Sequence, residues 1–157
     1  MTEDEARAAV VAEVRKWKRT PYHHNQAVMG AGVDCGRVII EAFVGAGLIE
    51  RPDVGRYTHD WHLHRSDEKY LSVVERYMSW VDGTEAPLRE RTDHLARPGD
   101  VLVWKVGRTY SHGAIVTAWP YIVHSSLPDR SVVEVNIFGT VMAEKPMRTY
   151  SYWGGAA

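Results

Sequence analysis

The sequence predicts an α+β fold carried by one domain over residues 1–157. Three observations predict it. Apolar residues recur at helical spacing through the first half of the chain. Short apolar runs of strand length, separated by turn residues, fill the second half. The period changes at Arg97-Pro98-Gly99-Asp100, a turn signal. Helices first and mostly antiparallel strands second is the α+β order.

The elements follow in turn. Thr2 and Glu5 have capping-box spacing. Ala6, Val10, Val14 and Trp17 then make one stripe, so residues 3–18 read as an amphipathic helix. Thr20-Pro21 ends it, because the residue before proline avoids the helical region. A loop from Pro21 to Gly32 carries His23, His24 and Asn25. Asp34 is an N-cap residue. Val38, Ile39, Ala42, Phe43 and Ala46 form the next stripe, and Gly45 and Gly47 stand where that helix would stop. Residues 50–66 read as a polar connection. The spacing of Tyr70, Leu71, Val74, Tyr77, Met78 and Val81 predicts a third helix, ended by Asp82-Gly83, with Asp67 and Glu68 in its first turn. Strands are predicted over 101–104, 111–118 and 121–125, and more weakly over 132–137 and 148–153.

The totals exclude several classes of function. The chain of 157 residues is long enough for a sizeable core. A net charge of −1 and the lack of a basic run give no nucleic-acid footprint. No apolar run is long enough to span a bilayer, so no membrane partner is expected. A single cysteine makes no internal disulfide. The acidic start, Met1-Thr2-Glu3-Asp4-Glu5, lacks the apolar stretch of a signal peptide. A chain made in the cytoplasm without a signal peptide is the expectation.

That one cysteine, Cys35, falls in the first turn of the second helix and shares a face with Val38 and Ile39. A helix N-terminus favours thiolate over thiol, and a nearby imidazolium favours it further. The competing reading is a small buried hydrophobe. Downstream, the strands around Trp119-Pro120 form a hairpin that sets residue 112 roughly opposite residues 124–126. His112 and His124 are then cross-strand neighbours. If the Cys35 helix packs on that sheet, thiol, base and orienting group meet in the arrangement of an activated nucleophile. A strand-edge histidine at 112 and a core histidine at 124 are the simpler alternatives.

Five stretches carry a resemblance: Thr20-Pro21-Tyr22, Gly32-Val33-Asp34-Cys35, Arg97-Pro98-Gly99-Asp100-Val101-Leu102, Ser111-His112-Gly113-Ala114-Ile115-Val116 and Ile122-Val123-His124-Ser125-Ser126. In this order and spacing the chain resembles the NlpC-type cell-wall peptidase family over about Thr20 to Phe138. The resemblance implies a papain-like fold, with the nucleophile helix packed on a mostly antiparallel sheet. It implies Cys35 as nucleophile, His112 as base, His124 as the group orienting His112, and Tyr22 as a tyrosine over the site. Asp34, Arg37 and Ser111 are adjoining candidates for substrate binding or assistance. The implied activity is a cysteine peptidase cutting peptidoglycan stem peptides, typically between D-glutamate and a dibasic amino acid, with no metal and no cofactor. Tyr57 to His64, followed by Glu68 and Leu71, is similar to the variant carried by phage tails and gene-transfer particles. That likeness implies phage-like tail partners and incorporation into a particle tail.

The chain departs from the family pattern after the cysteine, where Gly36-Arg37 replaces Ser-Gly or Leu-Gly, and at Ala114, where glycine is common. Arg37 is a candidate for a substrate carboxylate, or the mark of a changed or lost substrate. Three other readings stand beside the peptidase: a catalytically silent structural component of a tail, a related cysteine–histidine amidase, and a metal site from His59, Asp60, His62 and His64. The last has no defensible zinc spacing.

Overall fold

The computed structural model describes residues 1–56, 68–91 and 96–154. Helix α1 spans Glu3–Lys16. The capping box forms as expected, with Glu5 N–H on Thr2 Oγ1 at 3.2 Å and Thr2 N–H on Glu5 Oε2 at 2.7 Å. A short hairpin follows, β1 (Ala27–Val28) and β2 (Gly32–Val33), inside the stretch expected to be loop. Helix α2 spans Cys35–Gly45. It ends near the glycines expected to stop it, and Gly47 has φ +74°.

Helix α3 covers only Lys69–Val74, not the 70–81 stretch that the periodicity suggests. After a turn, Ser79–Trp80 forms strand β3 and pairs with residues 150–151. Val81 N–H continues the pairing onto the Thr149 carbonyl. The Trp80 ring also packs under the Arg148 guanidinium, 4.1 Å away. Pairing with the sheet edge outweighs helical periodicity here, because β8 supplies backbone partners to residues 79–81.

The remaining strands are β4 (Val101–Val106), β5 (Thr109–Ala118), β6 (Tyr121–Ser126), β7 (Ser131–Asn136) and β8 (Met147–Ser151). They form one antiparallel sheet in the order β3-β8-β4-β5-β6-β7. Both faces are covered, which is why β4 reads as an unbroken apolar run rather than an alternation. Val103 and Ile115 pack with Val10, Val14, Ile39 and Phe43 of the helices. Trp104, Val116 and Ile122 pack on the other side with Leu88, Ile137 and Met147. Phe43 is fully buried, and truncating such a side chain to alanine costs about 3–5 kcal/mol.

The Pro98-Gly99-Asp100 turn owes its residues to α1. Arg7, which the apolar stripe passes over, is buried and donates from Nη1 to Asp100 Oδ1 at 2.9 Å and to the Pro98 carbonyl at 2.8 Å. Asp100 Oδ2 accepts the Arg97 N–H at 2.8 Å. Trp153 stacks on the Arg7 guanidinium. Among the described residues no helix is long and apolar enough to cross a membrane.

Candidate active site

Asp34 builds the site's local frame. Its backbone is extended, and Oδ1 accepts the N–H groups of Gly36 and Arg37 at 3.2 and 2.9 Å, the bonds of an N-cap. Oδ2 accepts the N–H of Asn25, which sits at φ +59° in the turn before β1. The carboxylate is 1% exposed, so it ties the 23–26 turn to the start of α2 from inside.

Cys35 is the first residue of α2, as its spacing predicts. The helix packs on β5 and lays the thiol over the backbone on either side of His112. Sγ donates to the Ser111 carbonyl at 3.5 Å, and the N–H groups of Gly113, Cys35 and Gly36 face the sulfur. Those three donors favour a thiolate, as a helix N-terminus should. They do not prevail. Burial, and then the negative charge of Asp34, push the thiol up to about 12. The lowered thiol expected from helix position alone is therefore corrected: the resting sulfur is protonated.

His112 Nε2 and His124 Nδ1 lie 2.7 Å apart. The expectation of neighbouring imidazoles on adjacent strands holds, and the register falls at the far end of the expected 124–126 range. Pairing of β5 with β6 runs from Ala118↔Tyr121 to Ile115↔Val123. Continuing that register sets His124 opposite Ala114 and His112 opposite Ser126, so the two histidines are diagonal, not directly opposed. Trp104, the β4 partner of His112, flanks its ring at 5.9 Å. Burial pushes His112 down to about 3, assisted by His124. Burial also pushes His124 down to about 4, against the opposing pull of the Asp129 carboxylate. Both imidazoles are neutral at pH 7.

Tyr22 lines the same cleft as Cys35, His112 and His124. Its backbone is held by the Arg130 carbonyl and by a bridge to Val33. Burial, then the charges of Cys35 and Asp34, raise the phenol, so it keeps its proton and is a donor. Ser111 brings its carbonyl to the thiol, while its hydroxyl donates to the Val106 carbonyl at 3.4 Å. Arg37 lines the cleft too, yet its Nη2 donates to the Gly55 carbonyl at 2.6 Å and its Nε lies 3.6 Å from Asp34. The departure at 37 thus serves as an internal strap between α2 and the 51–56 segment.

Sequence reasoning missed Tyr70 as a site residue and treated it only as part of an apolar stripe. Its hydroxyl donates to the Cys35 carbonyl at 3.2 Å. The available signal was Gly113, since a glycine inside a strand marks a close approach. The metal reading of His59, Asp60, His62 and His64 lies outside the described residues. Among the described residues no group of three or more His, Cys, Asp or Glu is placed to hold a metal ion.

The sequence matches no protein-family model and no curated protein. Solved structures do match. The NlpC/p60 domain of the peptidoglycan hydrolase SagA aligns with a TM-score of 0.57 at 22% identity, over 92% of this chain and 97% of that one. The chain has the NlpC/p60 fold. NlpC1 from Trichomonas vaginalis aligns with a TM-score of 0.62 at 12% identity, over 96% of this chain but only 44% of that one. An N-acetylmuramoyl-L-alanine amidase from Bacteroides uniformis aligns with a TM-score of 0.62 at 12% identity, over 93% of this chain and 98% of that one. At these identities the likeness is one of fold: α+β, papain-like, with the Cys35 helix on an antiparallel sheet.

Proposed function

We propose that the protein is a cysteine hydrolase of peptidoglycan stem peptides, with Cys35 as nucleophile, His112 as base and His124 as the group that orients His112. The observation that carries this reading is the 2.7 Å bond between His112 Nε2 and His124 Nδ1 beside a thiol at a helix start. With His112 Nε2–H donated to His124, the other ring nitrogen, Nδ1, is left unprotonated and basic.

The resting pair is neutral, so proton transfer accompanies attack. Sγ forms the bond to the scissile carbonyl carbon as its proton passes to His112 Nδ1, and the carbonyl π electrons move onto oxygen. The Tyr22 hydroxyl and the Cys35 N–H, which unlike those of Gly36 and Arg37 is not bound by the Asp34 cap, are the donors suited to that oxygen. When the intermediate collapses, the C–N bond breaks and the amine leaves with the proton from His112. Water then attacks the thioester carbon, giving a proton to His112; as the C–S bond breaks, His112 passes that proton to Sγ, so the carboxylic acid is released and the thiol and neutral imidazole are restored. No step calls for a metal.

We further propose the D-glutamyl to dibasic amino acid bond as the target, on the strength of the sequence resemblance. The likeness of fold to the Bacteroides uniformis amidase supports a second reading, cleavage next to the sugar by the same thiol. Carriage in a phage-like tail is proposed from the sequence alone, on the likeness of Tyr57 to His64, followed by Glu68 and Leu71, to the variant carried by phage tails. Mass spectrometry of particles from a producing strain tests it; particles that lack this chain remove it. Digestion of purified peptidoglycan, with mass spectrometry of the released muropeptides, tests the activity and names the bond. Release by wild type, undiminished by EDTA and absent for Cys35→Ala, is expected. Release that survives Cys35→Ala would remove Cys35 as nucleophile.

A further inference from the structure

Helix α3 contributes none of the three residues assigned to catalysis, yet its start touches β5 on both sides of His112. On one side, Glu68 Oε2 accepts the N–H of Tyr110 at 2.9 Å. On the other, the Tyr70 ring is seated directly on Gly113. A Cβ at 113 would run into the Tyr70 hydroxyl, with Tyr70 Cζ at 3.2 Å and Ile39 Cδ1 at 2.8 Å. The same hydroxyl donates to the Cys35 carbonyl at 3.2 Å. One phenol therefore bridges the first residue of the nucleophile helix and the strand residue next to the base.

We propose that Tyr70 is a positioning residue, which holds the N-terminus of α2 down on β5 so that the Cys35 sulfur stays between the Ser111 carbonyl and the Gly113 N–H. Gly113 is the other half of the device. Any side chain there would occupy the space of the phenol. The α2 hydrogen-bond ladder begins at the Asp34 carbonyl, which accepts the Val38 N–H at 3.2 Å, and the Cys35 carbonyl stands next in it, so the Tyr70 bond is an added restraint on an oxygen with two lone pairs. Losing it lets the sulfur drift from the Gly113 N–H that would stabilise its anion. Sub-ångström to ångström misplacement of a reacting group is costly to rate even when binding is untouched.

The kinetic arm of the test rests on the hydrolase reading; the labelling and stability arms do not. Tyr70→Phe keeps the ring and removes the hydroxyl. It is expected to lower kcat for muropeptide cleavage about tenfold, with KM within about twofold of wild type. Alkylation of Cys35 by iodoacetamide at about pH 9 should slow about fivefold, because less of the sulfur is held as thiolate. Gly113→Ala should lower the thermal midpoint in the wild-type background and lower it less in the Tyr70→Phe background, where the clashing oxygen is gone. A folded Tyr70→Phe variant that alkylates at the wild-type rate or faster overturns the proposal. So does Gly113→Ala with equal cost in both backgrounds. If the wild type cleaves no peptidoglycan, the hydrolase reading fails, and the labelling and double-variant results still decide the role of Tyr70.

Discussion

His112 and His124 meet nitrogen to nitrogen, with Nε2 and Nδ1 2.7 Å apart, ring centroids 5.0 Å apart and planes at 78°. A bond between two neutral imidazoles fixes the tautomer of both. His112 is the donor if its Nδ1 is to act as a base, so His124 must offer Nδ1 as an unprotonated acceptor. A protonated His124 cannot do this.

The first prediction follows from that requirement. His124→Ala should lower hydrolysis about a hundredfold, while His124→Asn and His124→Gln, which keep an acceptor that does not titrate, should stay within about tenfold of wild type. The acid limb of the wild-type rate should lie near the values of the buried pair, about 4 for His124 and about 3 for His112, rather than near the ordinary imidazole range. The pH–rate profile of each variant checks this. Full activity of His124→Ala at every pH would assign the third position to another residue.

Acid should also destabilise the fold through the same pair. Both folded-state values lie below the ordinary value of 6.5. The unfolded chain therefore binds protons that the folded chain excludes. The stability held by the neutral pair is complete above about pH 6.5 and is lost as pH falls through about 4 and then 3. The thermal midpoint of wild type should drop across this window, and a His112→Gln/His124→Gln double variant should drop less. Equal pH dependence in the two proteins would mean that the histidines are not buried neutral.

Cys35 distinguishes a neutral resting pair from a thiolate–imidazolium pair. With the thiol near 12, the iodoacetamide rate should be low at pH 7 and still be climbing about tenfold per pH unit through pH 9. A preformed ion pair would instead give a plateau from weakly acid to neutral pH. Stopped-time labelling followed by mass spectrometry reads the profile directly, and such a plateau would refute the neutral pair.

The buried ion pair between Arg7 and Asp100, whose side chains are each 6% exposed, ties α1 to the turn that starts β4. Asp100→Ala strands the guanidinium beside the Pro98 carbonyl and should cost about 3–5 kcal/mol of unfolding free energy. Exposed pairs such as Arg97 with Asp4 should cost less than about 1 kcal/mol when broken. Urea denaturation of the two variants checks the contrast.

Much of this molecule is legible along the chain. The Thr2–Glu5 cap, the Asp34 cap, the two apolar helix stripes and the strands around Trp119-Pro120 all depend on neighbours within a few residues. Backbone periodicity and local hydrogen bonding specify such features without knowledge of the fold. For the same reason Cys35 could be assigned to a helix start, and His112 and His124 to adjacent strands.

The tertiary structure decided the rest. Val81 and the residues before it were periodic enough for a helix, but pairing with β8 drew residues 79–80 into a strand. Arg7 is charged, and the distant turn at Pro98 and Asp100, with Ser151 and the Trp153 ring, accounts for its burial. The contact of Tyr70 with Gly113 joins residues 43 positions apart in the sequence. The protonation of Cys35 is the sharpest case. Helix position, a local property, favours the thiolate. Desolvation and the Asp34 carboxylate favour the thiol, and their strength is set by how closely α2 and β5 pack around the sulfur. The amino-acid order determines which groups are available; the packing determines how much water and field each one feels.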